Sequence, residues 1–430
     1  MKTVTTTLTE SVINGSGLTS TSGWRGASEA GPIGIKALTG VQGSFSATTG
    51  VQLSRGGGTG TWAYALSELR SPATFFKVGQ AYRMQAWVRD VSGSGTPVEM
   101  LLANGNYGHR PTETREAATF RDTGWHLISR TFVCTAPAYA DTALYFGLPP
   151  SAAFNLEITG ASVAAIAAAL PPRVNSAPNT TLTFGGLKGS APDPAVWSYD
   201  TGGAWGNGSE LQSYTSRTSN VQVNGLGQLS IIARKEQFTG SDGLTTGFTS
   251  GRITTENKVN VAPGSYVEST VTAPTGSGVW PAFWLVGSNM SQVGWPASGE
   301  LDIFEGWGST PTLAHSALHM SSKDSASTDM QYGWGEAGGT TDLNQDLAAA
   351  PRRFGVYFDA NVVRFYIDRK PTLSVWSYDA LVSGRAWPFG LSQHIILNIA
   401  IPGGVDTSRT VFPKTMVVGD INIWKGGIPF

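Results

Sequence analysis

Three carboxylates stand within six residues in the segment Ser298-Gly299-Glu300-Leu301-Asp302-Ile303-Phe304-Glu305-Gly306. Acids crowded in this way repel one another, so their proton affinities must separate, and a site holding them carries one ionised and one protonated group. Cleavage of a glycosidic bond uses such a pair. One carboxylate attacks the sugar while a carboxylic acid protonates the leaving oxygen, and retention of configuration wants the two about 5 to 5.5 Å apart. A solvated acidic strand or a calcium loop would use the same residue types, and E-x-D-x-x-E alone does not choose between these.

The elements that must position the acids follow from the spacing. In an extended strand Glu300 and Asp302 point to one face, and Leu301 and Ile303 to the other. Strict alternation would place Phe304, not Glu305, beside the acids, so a one-residue β-bulge near Ile303 or Phe304 is needed to bring Glu305 back. Gly299 and Gly306 bracket too few residues for a helix. Val279-Trp280-Pro281-Ala282-Phe283-Trp284 and Gly294-Trp295-Pro296 precede the acids, and Trp307 follows them. Indole faces stack on sugar rings, and apolar clefts with a few placed polar groups are what ligand sites look like. Trp280, Trp284, Trp295 and Trp307 are therefore candidate sugar platforms, although each type also suits a core.

Only 14% of the 430 residues are charged, and 54 are Gly and 23 Pro; an ordinary chain is about 25% charged. With 40% hydrophobic residues there is material for a core, and the length allows two domains. A net charge of −1 without a basic run gives no support to nucleic-acid binding by counterion release. No apolar run reaches the roughly 18 residues of a membrane span, and the segment from Met1 to Asn14 lacks the apolar core of a signal peptide. Cys134 is the only cysteine, which excludes an internal disulfide and a cysteine-rich zinc site. It reads as a buried strand residue in Thr131-Phe132-Val133-Cys134.

Most of the chain has strand patterning. Val362 to Asp368 alternates, Ile395 to Ile401 is a buried-strand run, and Gly, Pro, Asn and Asp punctuate at short intervals. Ser162 to Leu170 and Asp342 to Ala350 are the candidate short helices, the first also readable as a strand end. The pattern predicts an all-β chain: a β-jelly-roll sandwich preceded by a smaller β-sandwich. The expected division is a first domain over 1–165, an Ala/Pro-rich linker over 166–178 stiffened by its prolines, and a catalytic domain over 179–430. The part after residue 178 holds 10 of the 14 tryptophans.

That second part resembles glycoside hydrolase family 16, and within it the laminarinase-like β-1,3-glucanases. Trp280 to Trp284, Gly294 to Glu300 and the acid triplet stand in the family's order. So do Asn207 to Thr215, Ser250-Gly251-Arg252-Ile253, Leu397-Asn398-Ile399-Ala400 with Gly403-Gly404, and Phe412-Pro413 with Met416. The resemblance implies a jelly roll with an open cleft, and an endo-acting, retaining hydrolase of a β-linked polysaccharide, foremost β-1,3-glucan. It implies Glu300 as nucleophile, Glu305 as acid/base and Asp302 as a hydrogen-bonding partner of the nucleophile, with His319 extending that network. Asn207, Glu210 and Arg252 match positions that meet sugar hydroxyls. The acids that hold a structural calcium in the family are absent from Leu182-Thr183-Phe184-Gly185-Gly186, and Asp420 is shifted by one, so that calcium is in doubt and no cofactor is expected. Arg352 to Phe358 also departs from the family, where a His and a Trp are usual. This leaves a galactan or another cell-envelope glycan as an alternative substrate, a phage virion (tail) component or a glycan-binding structural protein as alternative settings, and transglycosylation as an alternative outcome. An extracellular location is expected from the family. The oligomeric state is not legible.

The first 165 residues resemble, in general layout, the jelly-roll carbohydrate-binding modules joined to such enzymes. Trp24, Trp62 and Tyr107, near Gly- or Ser-rich turns, are candidate contacts, whereas Trp87 and Trp125 alternate like core residues.

Overall fold

The computed structural model describes residues 24–42, 49–69, 71–104, 115–166, 170–333 and 339–430. The chain divides into two compact units, Met1–Ala169 and Leu170–Phe430. Both are built of strands; the α-helices among the described residues are single turns or little more, at Pro72–Phe75, Met290–Val293 and Ser377–Val382. None is long and apolar enough to cross a membrane. Neither candidate helix forms among the described residues. Ser162 to Ala165 continue the strand Phe154–Ala165, because they pair in register with Tyr82 to Gln85. After Asp342 the chain runs irregularly, with Leu347 turned into the core.

The first unit packs two five-stranded antiparallel sheets. One has the strand order Trp24–Ser28, Ala63–Glu68, Ala143–Gly147, Pro97–Ala103, Arg115–Thr119; the other runs Gly34–Thr39, Thr49–Arg55, Phe154–Ala165, Ala81–Asp90, His126–Val133. Alternate residues such as Val51, Leu53, Met84, Met100, Leu144 and Ile158 meet between them. Cys134 is buried just past the end of its strand. The aromatic expectations change here. Trp24 is core, stacked on Phe146 at 5.6 Å. Trp87 is only half-buried, because its neighbours Ala86 and Val88 show that even-numbered positions of its strand face the core and odd-numbered ones face out. Trp125 is also half-buried, with the Arg89 guanidinium 4.9 Å from its ring. Trp62 is exposed, and Tyr107 lies outside the described residues.

The second unit is a sandwich of two larger sheets with one continuous core that includes Phe283, Leu285, Leu301, Ile303, Phe354 and Leu397. The segment expected as a spacer is built into this unit from residue 170 onward: Pro172 and Val174 exchange backbone hydrogen bonds with Ile428, and Asn179 donates to Ile423. Arg352–Phe358 forms a strand of the larger sheet despite its altered sequence. The other sheet carries the site. Its relevant strands are β1 (Arg252–Thr254), β2 (Trp280–Gly287), β3 (Glu300–Glu305), β4 (Leu313–His319) and β5 (Gln393–Ala400), in the order β1-β5-β2-β3-β4. One face of each supplies the core, and the other faces a cleft.

Candidate active site

The bulge that the spacing demands lies in β3. Against β2, Asp302 pairs with Trp284 and Phe304 with Phe283, so Ile303 is the extra residue. Against β4, Asp302 pairs with Ala317 and Glu305 with His315, leaving Ser316 opposite two residues, and its hydroxyl donates to the Ile303 carbonyl at 3.1 Å. Ile303 and Phe304 are both fully buried in the core, and Glu305 returns to the face of Glu300 and Asp302. Gly299 has φ +79°, and a Cβ there would come within 2.5 Å of Pro388, so only glycine can lead the chain into Glu300.

The three acids line one hollow of about 730 Å³. Trp295 donates its indole N–H to Oε2 of Glu300 at 2.9 Å, and Trp280 does the same to Oε1 of Glu305 at 2.8 Å. Glu300 keeps part of its surface open, yet loss of water dominates its titration. Burial and the Glu305 charge push its pKa up, against His319, the Trp295 hydrogen bond and Arg252, which pull it down. Asp302 stands well above the ordinary carboxylate range, through burial first, then the charges of Glu300 and Glu305 and a hydrogen bond to Glu300. Burial pushes His319 down, but Asp329 and the acids more than restore it, and the net shift is upward.

Around the acids the cleft is aromatic and amide-lined. Trp280 and Trp307 stack at 4.5 Å, which covers one face of each. The Arg252 guanidinium lies between Trp205, at 4.5 Å, and Trp284, at 4.7 Å, and its Nε donates to Asp200 at 2.8 Å. Trp295, 44% exposed, has the most open ring of the four candidate platforms. Glu210, Arg252, the four tryptophans, His319 and the acid triplet all line the hollow. Asn207 belongs to the Gly206–Gly208 turn at its edge, and its side chain lies outside the described part of the chain.

Asn398, not named from sequence as a site residue, joins the lining, and the buried Tyr214 and Gln212 brace it from behind. Trp284 Nε1 donates to Asn398 at 2.7 Å, Asn398 donates to the Tyr214 hydroxyl at 3.0 Å, and Gln212 donates to Glu210 at 2.6 Å. Asn398 had a readable signal, as the lone polar residue in the apolar run Ile395 to Ile401. Among the described residues, the one trio of ligating side chains close enough to share a cation is Glu300, Asp302 and His319, within 4.8 Å. These are the acids and histidine of the cleft itself, so no separate metal centre is assigned. Asp420 is exposed and precedes the final strand Ile421–Lys425.

Comparison with known proteins gives a consistent family. The profile of the XgeA-like catalytic GH16 domain matches residues 194–352. A beta-glucanase of Rhodothermus marinus is 32% identical over 252 residues, which span 54% of this chain and 80% of that protein. Among solved structures, the laminarinase catalytic domain from Thermotoga maritima MSB8 is 28% identical with a TM-score of 0.51, covering 59% of this chain and 99% of its own. The endo-beta-1,3-glucanase from Pyrococcus furiosus is 29% identical with a TM-score of 0.52, covering 60% and 98%.

Proposed function

We infer the reaction from one premise: the chain belongs to glycoside hydrolase family 16 and is a glycoside hydrolase of the endo-1,3-β-glucanase-like kind. The proposed substrate is a β-1,3-linked glucan, cut at internal bonds with retention. Glu300 attacks the anomeric carbon as the carboxylate, while Glu305 gives its proton to the departing glycosidic oxygen, leaving a glycosyl ester on Glu300. Glu305 then takes a proton from water, which opens the ester and releases the sugar. Asp302, held neutral, donates to Glu300 and steadies it between ionised and esterified forms. The observation that carries this reading is the bulge at Ile303, which turns Glu305 onto the face of Glu300. A neutral glucan also matches a wall rich in indoles and amides, since it offers ring faces and hydroxyls. Reducing-end release from laminarin tests the assignment. Glu300→Gln should abolish nearly all turnover with the fold intact, and full activity in that variant would refute it.

For the first unit, we propose that the outer face of the sheet containing Ala63–Glu68 grips a glycan. A hollow of about 640 Å³ there is lined by Trp62, Tyr64 and Glu99, and a second of the same size shares Tyr64 and adds Tyr145 and the Arg25–Glu68 ion pair. Trp62 stacks on Tyr64 at 5.7 Å and Tyr64 packs at 5.2 Å on the buried ring of Tyr145, so Trp62 and Tyr64 are the rings that can meet a sugar and Tyr145 supports them from beneath.

A further inference from the structure

His319 ends β4 with its two ring nitrogens turned to different carboxylates. Nδ1 lies 2.8 Å from Oδ2 of Asp329, and Nε2 lies 3.5 Å from Oδ2 of Asp302. Asp329 comes from the segment that follows β4 and doubles back on it. Leu318 and Tyr332 exchange backbone hydrogen bonds at 2.9 Å, Met330 donates to Met320 at 2.9 Å, and Ser321 bridges to Asp329. The backbone therefore holds Asp329 against the outer edge of the imidazole. Asp329 does not itself line the cleft.

From this arrangement we infer that Asp329 is a positioning residue for hydrolysis: it fixes the ring of His319 and keeps a proton on Nδ1, so that a cationic imidazole faces the Glu300–Asp302 pair. The inference rests on the proposed role of Glu300. The groups that face His319 are Glu300, Asp302 and Glu305 from β3 and Asp329 from the returning segment, with the uncharged Trp295 ring at 5.8 Å. Arg252 acts on Glu300 from β1. Burial disfavours the charged ring, and the Asp329 hydrogen bond is the first influence against that. The cation in turn opposes the burial of Glu300 and keeps this nucleophile ionised to lower pH. Without the Asp329 charge, His319 loses its proton at lower pH, and Glu300 then holds its own proton to higher pH.

The test uses the full chain and two variants. Asp329→Asn keeps an acceptor for Nδ1 but removes the charge, and Asp329→Ala removes both. The His319 resonance, identified by its loss in His319→Gln, is titrated by NMR without substrate. In the wild type, Nδ1 should carry a proton at neutral pH. In Asp329→Asn the midpoint should fall by about one unit, and the acid limb of kcat/KM on laminarin should move up with KM little changed. Asp329→Ala should in addition lower kcat by roughly tenfold. An unprotonated Nδ1 in the wild type, an unmoved midpoint in a folded Asp329→Asn protein, or an acid limb that stays while the midpoint moves would each overturn the inference. Failure to cleave laminarin at all would overturn the proposed substrate instead, and the substrate-free titration would still judge Asp329.

Discussion

Trp280 holds Glu305 by an indole N–H to carboxylate hydrogen bond of 2.8 Å, while its ring is clamped against Trp307. In the proposed role of Glu305 as general acid its proton must point at the leaving oxygen, and a donor fixed on Oε1 would aim the group. Trp280→Phe keeps an aromatic ring for the stack and deletes the donor. We expect kcat on laminarin to fall about tenfold, with a smaller change in KM, as for loss of one orienting contact. A rise in KM at constant kcat would instead mark Trp280 as a simple sugar platform.

The bulge makes an unusual demand on deletions. Removing Ile303 turns the segment into a regular strand in which Glu300, Asp302 and Glu305 still share one face. Removing Leu301 sends Asp302 to the core face. Both deletions take away a fully buried side chain, and each should cost about 2–5 kcal/mol of stability. Turnover should separate them: the Ile303 deletion retains measurable activity below the unfolding temperature, and the Leu301 deletion retains none. Equal loss in both would remove the bulge as the device that sets Glu305.

The raised proton affinities of Glu300 and Asp302 also fix a pH dependence of stability. Their folded values lie above their ordinary ones, so the native state binds more protons than the unfolded chain, and stability falls as pH rises from about 4 through the folded values. Glu300→Gln and Asp302→Asn remove that penalty. Each should raise the unfolding temperature at neutral pH by a few degrees, corresponding to about 1 kcal/mol or more. The gain should vanish below about pH 4, where the wild-type acids are protonated in both states. A scan of unfolding temperature against pH reads this directly, and a gain that persists in acid would point to packing rather than charge.

The acid triplet, its bulge and its indole surroundings were legible because a period-two strand leaves no other way to put E-x-D-x-x-E on one face. The all-β architecture was legible for the same reason, from alternation and turn residues. What the pattern could not supply was pairing over long distances. Pro172 to Val174 looks like a spacer until Ile428, some 250 residues later, offers it backbone partners. Asp329 is an ordinary acid in a Ser-rich loop until that loop folds back on β4. Trp24 proved to be core and Trp87 only half-buried, because the face a strand residue takes depends on which neighbours its sheet covers.

Trp62 offers the cleanest test of the first unit, since it is exposed and belongs to a different unit from the acid triplet. If Trp62 and Tyr64 grip a glycan chain, their contribution should show on long or insoluble substrates, where a second binding module adds avidity, and not on short ones that fill a single site. Loss of one stacking ring costs about 1 kcal/mol or somewhat more. Trp62→Ala should therefore weaken retention in gels containing laminarin by about five- to tenfold. Activity on insoluble β-1,3-glucan should fall with it, while kcat/KM on a short soluble oligosaccharide stays at the wild-type level. The same variant in a Glu300→Gln background keeps the measurement free of hydrolysis. Retention unchanged by both Trp62→Ala and Tyr64→Ala would exclude this face as the binding surface, and an equal loss on the short substrate would show that the substitution acts on folding instead.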